Sequence, residues 1–273
     1  MNRIFSQSIT ISISVITLLF MFVSENIFRG YIIIPIFSEE INIIIIKLII
    51  FIMVFLICLF IFFIYRKCRN SINISKKNKY SIEVRYGDLF ELNDGKVIIP
   101  FDECFTTEIN DLPSGINQHS ICGQYLKRYP IQNMDKLIDK VGLKPSTTVS
   151  QYQSKNSYES GRIVPNGQFL LMAFAKLDKD GLARMTRDEY LQCLFVLWRE
   201  IEKYYGQENI YMPILGSGVT RMEDKSLSQQ ELLDLIIGSY QLTSHKIKLP
   251  NKLYIICRKN GDFSINKIAL IVK

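Results

Sequence analysis

The part of this sequence best suited to chemistry is a glycine-containing turn that follows an apolar run. It reads Tyr211-Met212-Pro213-Ile214-Leu215-Gly216-Ser217-Gly218-Val219-Thr220-Arg221. Glycines at such a turn allow backbone amides to converge on an anion, as in the phosphate-binding loops of α/β proteins. An ordinary tight turn is the alternative, and it is the better explanation of a lone Gly-x-Gly. Arg221 replaces the third glycine of a dinucleotide fingerprint and no Gly-Lys-Ser/Thr follows, so neither a Rossmann motif nor a nucleotide triphosphatase loop is supported.

Other residues that could act in catalysis are sparse. The six cysteines form no Cys-x-x-Cys pair and the chain has two histidines, so we expect no metal site. His119 and Cys122 could form a nucleophile pair, but no orienting third group is evident, which favours a loop histidine and a pocket-lining thiol. Asp102 and Glu103 are adjacent on a predicted strand end. They should therefore point to opposite faces, and at most one could serve a given pocket.

The elements that position these residues follow from short β-branched runs and two capping boxes. Thr186 precedes Glu189, and Ser228 precedes Glu231, each just before a periodic apolar stretch, which predicts two helix starts. Strands are predicted for five segments, which are Ser81 to Arg85, Lys96 to Phe101, Gln168 to Ala175, Asn209 to Ile214 and Lys252 to Cys257. Alternating strands and helices predict an α/β domain of three layers, with a mostly parallel or mixed sheet flanked by helices.

Two apolar stretches precede this domain. Ile4 to Val23 contain no charge, and Ile41 to Tyr65 contain only Lys47, near their start. At about 1.5 Å per helical residue, each stretch can span a hydrocarbon core of roughly 30 Å. We therefore expect residues 1–65 to form a two-helix transmembrane hairpin. A cleaved signal peptide is the alternative for the first stretch, but Phe22-Val23-Ser24 is a poor cleavage site.

Basic residues flank the second stretch. Residues 66–79 are expected to be a basic juxtamembrane linker, whereas the loop between the stretches has Arg29 as its single basic residue. The basic residues of the linker are Arg66, Lys67, Arg69, Lys76, Lys77 and Lys79. Because such residues stay on the cytoplasmic side, both termini and a ligand-binding domain of residues 80–273 are expected to be cytoplasmic.

Net charge argues against a nucleic-acid partner. The chain has a formal charge of +7, but residues 1–79 carry 9 basic and 3 acidic residues and the remainder carries 24 basic and 23 acidic ones. The excess therefore belongs to the membrane flank, where it meets anionic headgroups.

In the first stretch, Ser6, Thr10, Ser14 and Thr17 recur at helical spacing. This hydroxyl stripe is typical of a face that packs on another helix, either the second span or another subunit.

A second element gives the glycine turn a context. It consists of a strand, the triplet Gly87-Asp88-Leu89 and a second strand ending near Phe101. With the later Pro-x-Leu-Gly-x-Gly turn, this order resembles the macro domain, a fold that binds ADP-ribose. The resemblance implies that Asp88 accepts a hydrogen bond from the adenine amino group, that Leu89 lies beside the ring, and that Gly216 to Thr220 wrap the diphosphate. The candidate ligand-binding residues are Asp88, Leu89, Phe101, Cys122, Gly123, Leu215, Gly216, Ser217, Gly218, Val219 and Thr220.

The loop after the second strand departs from the pattern of hydrolytic macro domains. Those carry an Asn-Ala-Ala-Asn run and a glycine triplet around the distal ribose. This chain has Pro100-Phe101-Asp102-Glu103 and, later, Ser120-Ile121-Cys122-Gly123-Gln124. The comparison favours a binding protein with no catalytic residues. An ADP-ribosyl hydrolase of the same fold and a membrane-tethered scaffold remain the alternatives.

The altered loop and the two apolar stretches together are similar to the membrane-anchored macro-domain effectors of Thoeris antiphage systems. This resemblance implies a multi-pass protein of the bacterial inner membrane. It also implies a TIR-domain partner that consumes NAD and releases an ADP-ribose-derived signal. The macro domain would capture that signal, and the membrane segments would then form a homo-oligomer and damage the lipid bilayer, leading to cell death. No cofactor is implied besides this ligand.

Overall fold

The computed structural model divides the chain into two units, Met1–Arg69 and Asn70–Lys273. The residues that it describes are 9–17, 21, 25–29, 34–76, 79–110, 115–218, 221–222, 227–259 and 263–268. Val219 and Thr220, two of the predicted site residues, lie outside these ranges.

The N-terminal unit contains one long apolar helix, α1, at Glu39–Cys68, preceded by a short 3-10 helix at Glu25–Phe28. Its segment Glu39–Tyr65 is, among the described residues, the one helix long and apolar enough to cross a membrane. Of the first predicted span, residues 9–17 and 21 are helical and the others lie outside the described ranges. The described residues thus contain one candidate crossing, and the two-span hairpin is not confirmed.

Asn42 organises the start of α1. Its side chain is fully buried, its Oδ1 accepts from the amide of Ile34 at 2.9 Å, and its Nδ2 donates to the carbonyls of Ile34, Phe37 and Ser38 at 3.1 to 3.2 Å. These bonds tie the preceding turn to the first turn of the helix. They also satisfy backbone groups that would be costly to leave unpaired in an apolar setting.

The hydroxyl stripe of the first predicted span is exposed where the structure describes it. Thr10, Ser14 and Thr17 are exposed, whereas Ser12 and Ile16 are buried. The hydroxyl of Ser14 donates to the carbonyl of Thr10 at 2.9 Å, and that of Thr17 donates to a carbonyl four residues back at 2.8 Å. Within this unit, the stripe is therefore not the packed face of its helix.

In its described part, the C-terminal unit is a nine-stranded mixed sheet with helices on both faces. The strands are β1 Ser71–Lys76, β2 Tyr80–Tyr86, β3 Gly95–Asp102, β4 Ile163–Asn166, β5 Phe169–Leu177, β6 Ala183–Met185, β7 Asn209–Pro213, β8 Arg221–Met222 and β9 Leu253–Cys257. The helices are α2 Ile121–Arg128, α3 Met134–Val141, α4 Arg187–Tyr204, α5 Gln229–Leu242 and α6 Ile265–Ile268, with a 3-10 turn at Leu89–Glu91. The strand order is β1-β2-β9-β7-β3-β5-β6-β8, and β4 pairs with β5.

Both faces of the central strands are buried. In β5, Leu170 and Met172 join the cluster under α4, α5 and α6, while Leu171 and Ala173 join the cluster under α2 and α3. A strand buried on both faces is expected where helices cover a parallel sheet, and β2, β9, β7, β3 and β5 are mutually parallel. The predicted α/β class with three layers is confirmed, as are the five predicted strands.

The two capping boxes are also confirmed. The Thr186 hydroxyl accepts from the amide of Glu189 at 3.2 Å, and the Glu189 carboxylate accepts from the amide of Thr186 at 2.8 Å. Ser228 and Glu231 make the same pair of bonds at the start of α5. Each box satisfies two helix-terminal donors and fixes where its helix begins.

The predicted linker at residues 66–79 is wrong in its extent. Helix α1 continues to Cys68, and Ser71–Lys76 form β1, which pairs antiparallel along its length with β2. The physical reason is that Ile72 and Ile74 alternate with polar residues and are each only 5% exposed. The C-terminal unit therefore begins at Asn70 and not at residue 80.

Candidate ligand-binding site

The candidate site lies where four neighbouring parallel strands end at the same edge of the sheet. In spatial order β2, β9, β7 and β3 are followed by Asp88, Arg258, the turn from Ile214 to Gly218, and Glu103. The register pairs Tyr86 with Cys257 and Ile256 with Pro213. Ligands of α/β proteins bind outside the carboxyl ends of such strands, because the loops there converge while the sheet holds their ends fixed.

Asp88 lies at the outer end of this edge and is exposed. Its Oδ1 accepts from the amide of Phe90 at 2.9 Å, which caps the 3-10 turn and fixes the direction of the carboxylate. The guanidinium of Arg128, from α2, lies 4.3 Å from the centre of the Phe90 ring. This cation–π contact joins α2 to the segment that carries Asp88.

The glycine turn has one position that requires glycine. Gly216 has φ +77°, in the left-handed region, whereas Gly218 is exposed, has no such φ and would have open space around an added Cβ. Ser217 is exposed and its hydroxyl donates to the carbonyl of Ile214 at 2.7 Å. Leu215 is buried, and its carbonyl accepts from the hydroxyl of Tyr190 at 3.1 Å. The turn thus begins with a buried residue, Leu215, and its tip, Ser217 and Gly218, is exposed.

Three predicted site residues form part of the core beneath the edge. Leu89, Phe101 and Cys122 are 5%, 3% and 7% exposed and belong to one hydrophobic cluster. Burial, with a smaller effect of the Asp102 charge, raises the pKa of the Cys122 thiol well above its usual range. A raised pKa lowers the fraction of thiolate, which is the form of cysteine that attacks a substrate.

Gly123 is needed for close packing of backbone. A Cβ at this position would overlap the carbonyl oxygen of Asn117 and approach the Cα of Gln118 to 2.8 Å. The preceding loop therefore lies directly against the first turn of α2, whose N-cap is Ser120. Gly123 thus has a packing role, between the first turn of α2 and the loop that precedes it.

Asp102 and Glu103 are both engaged by the protein. Asp102 Oδ1 accepts from the amides of Cys104 and Thr106 at 2.8 and 3.1 Å. Burial nevertheless raises the pKa of Asp102, because desolvation outweighs these bonds. Glu103 is 6% exposed, and its Oε1 accepts from the hydroxyl of Ser150 at 2.5 Å and the amide of Leu177 at 3.0 Å. Both carboxylates hold the loop after β3 in place.

A cationic cleft borders this edge and was not predicted from the sequence. It encloses about 480 Å³ and is lined by Gln118, His119, Gln124, Lys127, Arg128 and Arg258. Among the described residues, its lining has three cations and no carboxylate. The only hint in the sequence was that Arg258 directly follows the last predicted strand.

The comparisons with known proteins agree with this architecture. The family model described as "Thoeris protein ThsA, Macro domain" matches residues 82–258. The Thoeris protein ThsA of Bacillus amyloliquefaciens (strain Y2) is 33% identical over 199 residues, which cover 69% of this chain and 66% of that protein. The chain thus spans slightly less than two thirds of its relative.

Solved macrodomains resemble the fold more distantly. A variant of the Oceanobacillus iheyensis macrodomain has 11% identity and a TM-score of 0.45, covering 74% of this chain and 96% of that one. The macrodomain of Thermus aquaticus DarG has 12% identity and a TM-score of 0.39, covering 66% and 98%. On the strength of the family match, which extends from β2 to Arg258, this chain belongs to the family of Thoeris ThsA macro-domain proteins.

Proposed function

We propose that this chain is a membrane-anchored antiphage effector. Its macro domain binds an ADP-ribose-derived signal that a TIR-domain partner makes from NAD. Binding drives assembly of several copies, and their membrane segments then damage the inner membrane and kill the infected cell. The family membership and the candidate membrane helix support this proposal.

The observation that carries the ligand assignment is the arrangement of the sheet edge. An exposed acceptor on Asp88, a cation on Arg258 and the exposed tip of the glycine turn follow three adjacent parallel strands. Neighbouring strands are about 4.8 Å apart, so these groups extend over roughly 10 Å. An adenine ring followed by a diphosphate fits a row in which an acceptor is followed by anion-binding groups.

We propose a receptor and not a catalyst. The candidate nucleophile Cys122 is buried with a raised pKa. The carboxylates Asp102 and Glu103 accept hydrogen bonds from backbone and side chains. A general base must reach the substrate, and these two groups are already used to hold the protein together.

The decisive experiment is a thermal-melting titration of the full-length protein in neutral detergent. ADP-ribose, its amino-acid conjugates and its cyclic forms should be compared. A ligand present at about 100 times its Kd stabilises the folded state by about 2.7 kcal/mol, so the melting temperature should rise. No shift with any of these compounds would refute the ligand class.

The same samples distinguish the two rival functions. Chromatography of the ligand after incubation would reveal turnover, which a receptor should not produce and a hydrolase should. A scaffold would bind none of the compounds. Expression with an active TIR-domain enzyme should stop growth and make cells leaky, whereas a catalytically dead TIR-domain enzyme should not.

A further inference from the structure

The cationic cleft has the properties of a phosphate site made by side chains. Lys127, Arg128 and Arg258 are all exposed, and the ion pairs of the described residues lie elsewhere in the fold. No carboxylate among the described residues therefore neutralises them. Like charges gathered around a concave surface repel one another unless an anion is bound between them, so the cleft favours an anionic occupant.

Neutral contacts orient two of the cations. The Nζ of Lys127 donates to Oε1 of Gln118 at 2.5 Å, which leaves its other protons free for an anion. The guanidinium carbon of Arg128 lies 4.3 Å from the centre of the Phe90 ring, a cation–π contact that restricts the side chain without a hydrogen-bond acceptor. The N–H donors of both side chains thus remain available while their positions are restricted.

The position of the cleft identifies the part of the ligand that it would meet. Arg258 follows β9, which lies between the strand that leads to Asp88 and the strand that leads to the glycine turn. Arg128 contacts Phe90, two residues after Asp88. A ligand that places adenine at Asp88 and reaches the glycine turn must pass Arg258 on the way, and in ADP-ribose this is the stretch that carries the phosphates.

We infer that Lys127, Arg128 and Arg258 form a phosphate subsite that recognises the ligand by charge, in addition to the backbone amides of the glycine turn. This inference rests on the proposed function. Backbone amides bind an anion through partial charges, whereas full cations make stronger, charge-assisted bonds that salt weakens. The subsite therefore selects adenosine compounds that carry phosphates, and neutral adenosine gains nothing from it.

The test is calorimetry on the full-length protein in neutral detergent, with ADP-ribose, ADP, adenosine and pyrophosphate at low and high salt. A separate series adds phosphatidylglycerol to the detergent micelles. Arg258→Gln should lower the affinity for ADP-ribose and for ADP about tenfold, the loss expected for one charge-assisted hydrogen bond. The affinity for adenosine should stay unchanged. It should also reduce the salt dependence. Lys127→Gln should act in the same direction, and Arg258→Lys should retain part of the affinity. The matched control is Arg199→Gln, an exposed arginine on α4 at the opposite face of the sheet.

The outcomes separate this inference from the proposed function. If wild type binds ADP-ribose and the cleft variants bind it equally well with the same salt dependence, the subsite is refuted and the proposed function stands. If wild type binds no adenosine compound but binds pyrophosphate through Arg258, the proposed function fails and the phosphate site survives. If Arg258→Gln affects only the binding of phosphatidylglycerol in mixed micelles, and not that of soluble phosphates, the cations serve lipid headgroups and the inference is wrong.

Discussion

The amide of Tyr86 donates a hydrogen bond of 3.0 Å to the carbonyl of Asn70. Asn70 is the first residue of the C-terminal unit, and Tyr86 is the last residue of β2, two residues before Asp88. The chain therefore enters the domain at the carboxyl edge of the sheet, beside the candidate adenine position. One residue, Arg69, separates the end of α1 at Cys68 from this hydrogen bond.

This junction predicts that a flexible insertion will uncouple ligand binding from the membrane. We expect a Gly-Ser-Gly insertion between Arg69 and Asn70 to leave the affinity for ADP-ribose unchanged, because β1 and its register with β2 are untouched. Killing in cells with an active TIR-domain enzyme should fall, since a flexible segment transmits position poorly. Calorimetry tests the expected affinity, and growth curves test the expected loss of killing. An insertion variant that kills as well as wild type would show that ligand binding is not coupled to the membrane segment through this junction.

Asp88 has two roles that different substitutions separate. Asp88→Asn retains an oxygen that can accept from the amide of Phe90, but it places an amide donor where adenine presents its own amino donor. We expect near-normal thermal stability and weaker binding of ADP-ribose. Asp88→Ala should also lose the cap, at a cost of about 1 kcal/mol. Melting and calorimetry of both variants measure this, and equal binding by all three proteins would move the adenine site elsewhere.

The glycine turn gives a matched pair of substitutions. Gly216→Ala should destabilise the domain by about 1 kcal/mol, because φ +77° is unfavourable for a residue with a Cβ. Gly218→Val should leave the melting temperature unchanged, since the space around Gly218 is open, and should abolish ligand binding if the diphosphate lies against this tip. Unaltered affinity in the Val variant would place the diphosphate away from the turn.

Sequence patterns predicted the elements whose signals are local. The strand that leads to Asp88 alternates β-branched with polar residues, and the strand that leads to Gly216 is mostly apolar. Helices α4 and α5 begin with reciprocal caps, so the positions of these elements needed no tertiary information. Strand β1 was missed because Ile72 and Ile74 are its only apolar residues and the surrounding segment is polar and basic. The short helices α2 and α3 span eight residues each and lack a capping box, so they offer neither the length nor the reciprocal cap that identified α4 and α5.

The candidate site was predictable only in part. Asp88 and the glycine turn could be located because each directly follows a recognisable strand. The burial of Leu89, Phe101 and Cys122 in one cluster could not be predicted, since it depends on how the elements of this face pack on the sheet. The cationic cleft joins α2 to the end of β9, and only the strand order, in which β9 lies between β2 and β7, brings those residues together.

Asp102 predicts a pH dependence of stability. Its pKa in the folded protein is raised above 3.8 by burial, so the folded state binds this proton more tightly than the unfolded state does. The contribution of Asp102 to the free energy of unfolding is therefore fully present below about pH 3.8, the pKa in the unfolded chain. It is lost as the pH rises through the pKa of Asp102 in the folded protein. Asp102→Asn cannot ionise, and its amide oxygen can still accept from Cys104 and Thr106. The melting temperature of wild type relative to this variant should fall with rising pH across that window, and a constant difference would contradict the prediction.

The exposed hydroxyl stripe predicts where copies of the chain meet in the membrane. Thr10, Ser14 and Thr17 are exposed in the single chain, and small hydroxyl residues allow helices to approach closely. Because the hydroxyls of Ser14 and Thr17 already bond to carbonyls of their own helix, their replacement leaves no orphaned group elsewhere. Changing all three to Leu should preserve membrane insertion and ligand affinity but prevent ligand-dependent assembly and killing. The matched control changes the exposed residues Ile11, Ile13 and Val15 to Leu, which alters the same helix without filling the stripe. Crosslinking in membranes with and without ligand measures assembly, and a stripe variant that assembles and kills like wild type would show that this face contacts only lipid.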